Sequence, residues 1–240
     1  MALGARRSGG SWTQTLRVLT GNRSLRRIVA ADVLMEIQVG TNGSHHVFFV
    51  SHVLEMPEAA SLYILVIMLT GLLFVPLWVR FSYRLGKHRT LCAGALFSCG
   101  ASLIPALLPP QAFALGFAAY VVIGVNFAAR ELLVRSMMAD VILEDTAASG
   151  EVRAGLFYSV LALTGKLAAA LAVGITYWAL AAIGFDTQAE NAPATLLGFR
   201  WVMAGVPLLA GLAAAAIMWR FPLDAARQRE LRAAISRREH

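Results

Sequence analysis

Six apolar blocks, at about 27–50, 58–79, 90–108, 112–138, 154–183 and 195–219, fill most of this 240-residue chain. Each is at or near the ~20 residues a helix needs to cross the ~30 Å hydrocarbon core of a bilayer. Strands of a membrane barrel would be about ten residues of alternating pattern. These blocks are continuous and rich in Ala, Leu and Gly, so closed helices are how their backbone groups stay satisfied. The expected fold class is an all-α membrane protein with six transmembrane helices. With 58% hydrophobic and 15% charged residues, the chain lies outside the range of soluble domains, which excludes a water-soluble enzyme and a disordered chain. Cys92 and Cys99 are too few for a disulfide framework, and both fall in an apolar block, where inert packing is their reading.

The formal charge of +7 does not mark a nucleic-acid partner, because the basic residues are dispersed between apolar blocks. Counted by connection, 19 of the 21 Lys and Arg fall on one side. They lie in the N-terminal segment 1–26 and Arg27, in Arg80 to Arg89, around the fourth connection (Arg130, Arg135, Arg153), and in the tail 220–240. Only Arg200 falls on the other side, and Lys166 lies within a span. A multi-pass protein of the plasma membrane, the inner membrane of a bacterium, with both termini cytoplasmic is expected. Arg6 and Arg7 precede no apolar core, so no signal peptide is read there. The stretch from Leu223 to His240 reads either as a surface helix whose arginines meet anionic lipid or as a solvated tail. A Walker loop, a metal-ligand cluster and a nucleophile elbow are all missing from the sequence, so neither an enzyme nor a cofactor is expected.

The informative residues are ionisable groups where they are expensive, at about 3 kcal/mol or more near the bilayer centre unless paired or wet. In the first span Asp32 and Glu36 are one turn apart, with Glu36 ~13 Å below the cytoplasmic surface. Gln38, Asn42, His45 and His46 continue that polar side, which is expected to line an aqueous pathway. The fourth span offers Asn126, Arg130, Glu131 and Arg135, with Glu131 and Arg135 at ion-pair spacing. Lys166, about twelve residues into the fifth span, must pair with a carboxylate such as Glu36 or Glu131 or shed its proton, and either state can couple to ion movement. The interiors of the third and sixth spans carry no charge. That asymmetry suits two three-helix repeats, each placing its first helices at a cavity and its third at the periphery. At the cytoplasmic ends, Arg84, Lys87 and Arg89 stand opposite Asp140, Glu144 and Asp145, either to latch those ends when the cavity faces outward or as plain positive-inside anchors.

Three stretches carry a resemblance. Arg84-Leu85-Gly86-Lys87-His88-Arg89 follows Pro76-Leu77-Trp78; next comes Met138 through Asp145; then Gly155-Leu156-Phe157-Tyr158-Ser159-Val160, with Lys166 six residues on. Together they resemble the glycoside-pentoside-hexuronide:cation symporters of the major facilitator superfamily, the melibiose permease among them. Asn22-Arg23 through Arg27 is similar to that family's central loop, so the chain looks like helices seven to twelve, one half of the fold. The resemblance implies symport of a sugar-like solute with sodium or a proton, with Lys166 matching a cavity lysine of the eleventh helix and Gly86 belonging to the cytoplasmic gate motif. Departures fall at Ala162, Glu131 and Leu143, where the family carries a threonine, a tryptophan and an acidic residue. The alternatives are a lysolipid or other non-sugar solute, or a six-helix assembly module that transports nothing. Glu36 and Lys166 would face lipid unless covered, so a second six-helix half is an expected partner beside the bilayer and a small-molecule solute. A separate chain, a second copy, and a truncated or mis-started reading frame all remain open.

Overall fold

The computed structural model describes residues 20–223 and residue 230. Arg6, Arg7, Arg17 and the surface helix expected from Leu223 to His240 lie outside the described residues, apart from Leu223 and Glu230. Seven α-helices and no strand occur among the described residues. They are α1 (Arg23–Phe48, continued by a π turn at Phe49–Val53), α2 (Ala59–Leu85), α3 (Lys87–Leu107), α4 (Phe113–Gly124), α5 (Ala129–Ser149), α6 (Ala154–Ala182) and α7 (Pro193–Trp219).

Among the described residues, five stretches are long and apolar enough to cross a membrane: α2, α3, α4 and α5 taken together as Phe113–Ser149, α6 and α7. The sixth expected span, α1, does not meet that measure, because arginines near its start and Asp32 and Glu36 further on dilute it. Helix α1 instead packs chiefly on α6 and α7, which cover residues that lipid could not. Its start is fixed by Asn22, whose side-chain oxygen accepts from Leu25 N at 2.8 Å. At the other end of the chain, an Arg27 guanidinium nitrogen donates to the Arg220 carbonyl just beyond α7.

A single residue, Gly86, joins α2 to α3. Its backbone (φ 86°, ψ 151°) lies where only glycine escapes a Cβ clash, and its carbonyl accepts from Thr90 N at 3.0 Å and Thr90 Oγ1 at 2.9 Å.

The fourth block, expected as one helix over 112–138, is broken at residues 125–128 and resumes as α5 as far as Ser149. Side chains tie the break to α2 and α3, and one of them satisfies a freed carbonyl there, as non-helical backbone in apolar surroundings requires. Trp78 Nε1 donates to Val125 O at 2.7 Å, and Asn126 Nδ2 donates to Gly94 O at 2.9 Å and Ser98 Oγ at 2.7 Å. Gly94 is required for this approach, since a Cβ there would stand 2.9 Å from Asn126 Oδ1.

Two apolar clusters close the bundle. One gathers Ile28, Met35, Leu133, Met138 and Phe157, the other Phe49, Tyr63, Tyr120, Leu180 and Phe199. Helices α3 and α7 pack on each other most extensively, and half of the α3 apolar window is buried against 17% for α6. The most exposed helices are α2 and α6; α6 buries Phe157, Leu161, Ala168, Ala172 and Leu180 and turns Leu163, Leu167 and Leu171 out. Close approach explains the choice of small residues: a Cβ on Gly40 of α1 would meet Ala172 Cβ at 2.8 Å.

Candidate functional site

Polar residues of α1 fall into stripes because residues two apart stand ~200° apart around a helix. Asp32 and Glu36 face α5, where one guanidinium meets both: Arg130 Nη1 is 2.7 Å from Asp32 Oδ1, and Nη2 is 2.5 Å from Glu36 Oε2. A third carboxylate, Glu131, lies 3.5 Å from the same Nη2 and is also held by Arg135 Nε at 2.5 Å, the i,i+4 pair expected from spacing. Exposure of the side chains rises across the network, from 6% at Asp32 and 16% at Arg130 to 67% at Arg135. The inner part is thus a paired buried cluster and the outer part a solvated one.

The sequence places Arg130 in the fourth span and among the cytoplasmic basic residues but not in the pathway, whereas the structure makes it the centre of the charge cluster. It sits inside the bundle, one turn beyond the break at Asn126. The signal that could have found it is its position in the interior of an apolar block, next to Glu131 and ninety-four residues downstream of Glu36.

Lys166 shares a cavity of about 460 Å³ with Asp32, Glu36, Arg130, Glu131 and Tyr158. Among the described residues it forms no ion pair, and it is exposed. The expected pairing with Glu36 or Glu131 is not made, because the forked guanidinium of Arg130 and the adjacent Arg135 already hold those carboxylates.

The second stripe, Gln38, Asn42 and His46 at one-turn intervals, faces away from that network. These residues line a separate cavity of about 290 Å³ together with Asn126, Arg130 and apolar walls from α2, α3 and α5. Gln38 Nε2 reaches Cys99 Sγ at 3.8 Å, and His46 Nε2 lies 3.0 Å from Ala60 O. His45 belongs to neither stripe. It is fully buried, edge-on to Phe199 with 5.6 Å between ring centroids. Both cysteines are free and buried, as their packing role requires.

At the end of the bundle marked by Gly86, one oppositely charged pair of the expected set is made within the chain. Lys87 Nζ lies 2.6 Å from Asp140 Oδ2 and donates to Ser136 O at 3.2 Å. Asp145, ~140° around α5 from Asp140, meets Arg153 at 3.6 Å instead. Arg84, Arg89 and Glu144 form no ion pair among the described residues, so they are not part of a closed cluster with Asp140.

This arrangement, an all-helical bundle with a broken helix and a paired charge cluster on an apolar chain, coincides with a sequence match. The family model described as MFS/sugar transport protein matches residues 4–225. The chain belongs to this family. Its description is one of transport and not of catalysis, and with five apolar helices this MFS chain is a multi-pass membrane protein whose partner is the lipid bilayer. Curated relatives include a sodium-dependent lysophosphatidylcholine symporter 1-B of Danio rerio, 27% identical over 67% of this chain and 31% of the relative. A sphingosine-1-phosphate transporter of Xenopus tropicalis is 22% identical over 87% of the chain and 41% of the relative. The glucuronide carrier protein homolog of Escherichia coli (strain K12) is 24% identical over 94% of the chain and 50% of the relative. The MFS chain therefore spans between 31% and 50% of the length of these proteins.

Proposed function

We propose that this chain forms one six-helix half, α1 to α7 with α4 and α5 as one broken span, of a secondary transporter that moves a sugar-like solute with sodium or a proton. The observation carrying the reading is the Arg130 clamp on Asp32 and Glu36, placed beside the exposed Lys166 on a face of the bundle that α6 leaves open. An ionised lysine in the middle of a spanning helix is tolerated only against water or protein. A second half, whether another chain, a second copy or a further part of a longer polypeptide, supplies that cover. The pathway then runs past Asp32, Glu36, Glu131 and Lys166, with Gln38, Asn42 and Asn126 on the adjoining cavity, and Lys87 and Asp140 hold the cytoplasmic ends. The bacterial inner membrane with both termini inside suits the distribution of Lys and Arg. Relatives named as symporters support cation coupling, and the carrier named for glucuronides supports the sugar-like solute.

The test is uptake into proteoliposomes holding the chain and its candidate partner, with imposed sodium or pH gradients. Lys166→Ala is expected to lower gradient-driven accumulation at least tenfold while membrane insertion is unchanged. Uptake equal to the unaltered protein removes Lys166 from the mechanism, and no uptake under any gradient favours the non-transporting assembly module.

A further inference from the structure

The end of the bundle where α1 starts and α7 finishes carries an open groove of about 490 Å³, within the ~300–1,000 Å³ of ligand sites. It shares no residue with either cavity beside the middle of α1. Arg23, Arg26 and Arg27 line one wall, and with Ala30 they follow the i, i+3, i+4, i+7 spacing of a single helix face. The other wall is the last turn of α7, with Ala216, Trp219 and, just beyond, Arg220. Ala30 and Ala216 are both exposed, and their small side chains leave the space between the walls. Arg27 donates to the Arg220 carbonyl, which holds its guanidinium at the level where the apolar span of α7 ends. That level is the head-group layer of a bilayer, and the exposed Trp219 is of the residue type that anchors there.

Charge sets this groove apart. No carboxylate lines it, and Arg23, Arg26, Arg27 and Arg220 form no ion pair among the described residues. Arg130, Arg135 and Arg153, by contrast, each meet a carboxylate. The three α1 arginines also stand at the positive end of that helix's dipole, with no acidic residue in the first turn to offset them. Arg23 borders a neighbouring groove with Glu144 and Asp145 as well, which leaves Arg26, Arg27 and Arg220 as the chief donors here. Guanidinium forks match phosphate oxygens in shape and charge. Below the groove, Leu212 and Leu209 continue the exposed face of α7 from Ala216 at helical spacing, an apolar track towards the middle of the span.

We infer that this groove binds the head group of an anionic phospholipid, its phosphate on Arg26, Arg27 and Arg220 and its acyl chains along Leu212 and Leu209. Basic pockets between membrane helices suit such head groups. A zwitterionic lipid offers the same phosphate, but its ammonium meets a groove of four guanidinium groups and is repelled. The bound lipid is a fixed neighbour of the bundle and not a solute, so the site stands whether or not the chain transports.

The experiment is equilibrium binding of dioctanoyl phosphatidylglycerol, dioctanoyl phosphatidylcholine and glycerol phosphate to the full chain in a neutral detergent, read by native mass spectrometry. Phosphatidylglycerol is expected to bind at least tenfold more tightly than either of the others. Arg26→Gln combined with Arg220→Gln leaves the Arg27 bond to the main chain in place and is expected to weaken phosphatidylglycerol at least tenfold, at about fivefold per arginine. The charge-matched control, Arg80→Gln with Arg84→Gln at the same end of the bundle on α2, is expected to change it less than twofold. Ala216→Phe keeps all four arginines and fills the groove, and at least a fivefold loss is expected; should it not fold, Ala30→Phe takes its place. Equal losses in the two double variants overturn the proposal, because they mark a diffuse surface field and not a site. Phosphatidylcholine bound as tightly as phosphatidylglycerol overturns it too, as does phosphatidylglycerol binding indifferent to the filled groove. Glycerol phosphate bound as tightly as the lipid also overturns it, in favour of a soluble anion.

Discussion

The two sides of α1 solve the problem of polarity in an apolar bundle in opposite ways. Towards α5 and α6, charged groups are gathered into pairs: Asp32 and Glu36 share Arg130, and Glu131 links Arg130 to Arg135. Towards α2, α3 and α4, neutral groups are spread along a cavity and held by weak or single hydrogen bonds. The difference teaches where rigidity and adaptability reside. A buried carboxylate cannot lose its guanidinium without stranding a charge, whereas an amide beside a cavity can exchange one partner for another at little cost.

The comparison breaks most sharply at Arg130. Arg130→Ala strands Asp32 and Glu36 and is expected to destabilise the bundle by about 3–5 kcal/mol, read as loss of the folded species in thermal unfolding of the nanodisc-embedded protein. A variant that melts with the unaltered protein would show that the clamp holds nothing. Adding Asp32→Leu and Glu36→Gln to Arg130→Met is expected to recover much of that loss, since a buried ion cluster replaced by groups of similar volume is often neutral.

Next in size is Asn126→Ala. It removes two hydrogen bonds across the broken helix and leaves the Gly94 carbonyl and Ser98 hydroxyl to find other partners, at about 1–3 kcal/mol, with faster hydrogen exchange at residues 125–128 as the local readout. Exchange as slow as in the unaltered protein would mean that Trp78 alone secures the break.

The neutral side should be more forgiving. Gln38→Met conserves volume and gives up only a long contact with Cys99 Sγ, so a change below about 1.5 kcal/mol in the unfolding midpoint analysis is expected. A larger loss would make the Gln38 stripe structural and blur the contrast with Asp32. Smallest of all is Arg135→Ala, which deletes an exposed i,i+4 pair and is expected to show a coupling near the limit of detection in a double-mutant cycle with Glu131→Ala. A coupling well above that would extend the rigid cluster to the surface.

How far these features could be read beforehand differs by residue. Asp32, Glu36, Glu131 and Lys166 stand out as charges within apolar blocks, and the structure does gather them around one cavity. Arg130 is legible as a charge in the fourth block, but not as the partner of Asp32 and Glu36, because no local pattern says which helices face each other. The polar side of α1 was read as continuous because a broad stripe and two opposed stripes have the same residue types. Only knowing which neighbour lies on each face separates Glu36 from Gln38.

Hydropathy, block length and the distribution of Lys and Arg were enough for an all-helical chain made to lie in a bilayer, because the bilayer constrains every residue alike through local composition. Partner choice was not encoded so locally. Which carboxylate meets Arg130, where the fourth span breaks and which polar groups border a cavity are settled by contacts between helices, over separations from 28 residues at Asn126–Ser98 to 98 at Arg130–Asp32. Packing geometry fixes those contacts, since a helix carries its periodicity in its own sequence and the identity of the surface that faces it only in the assembled bundle.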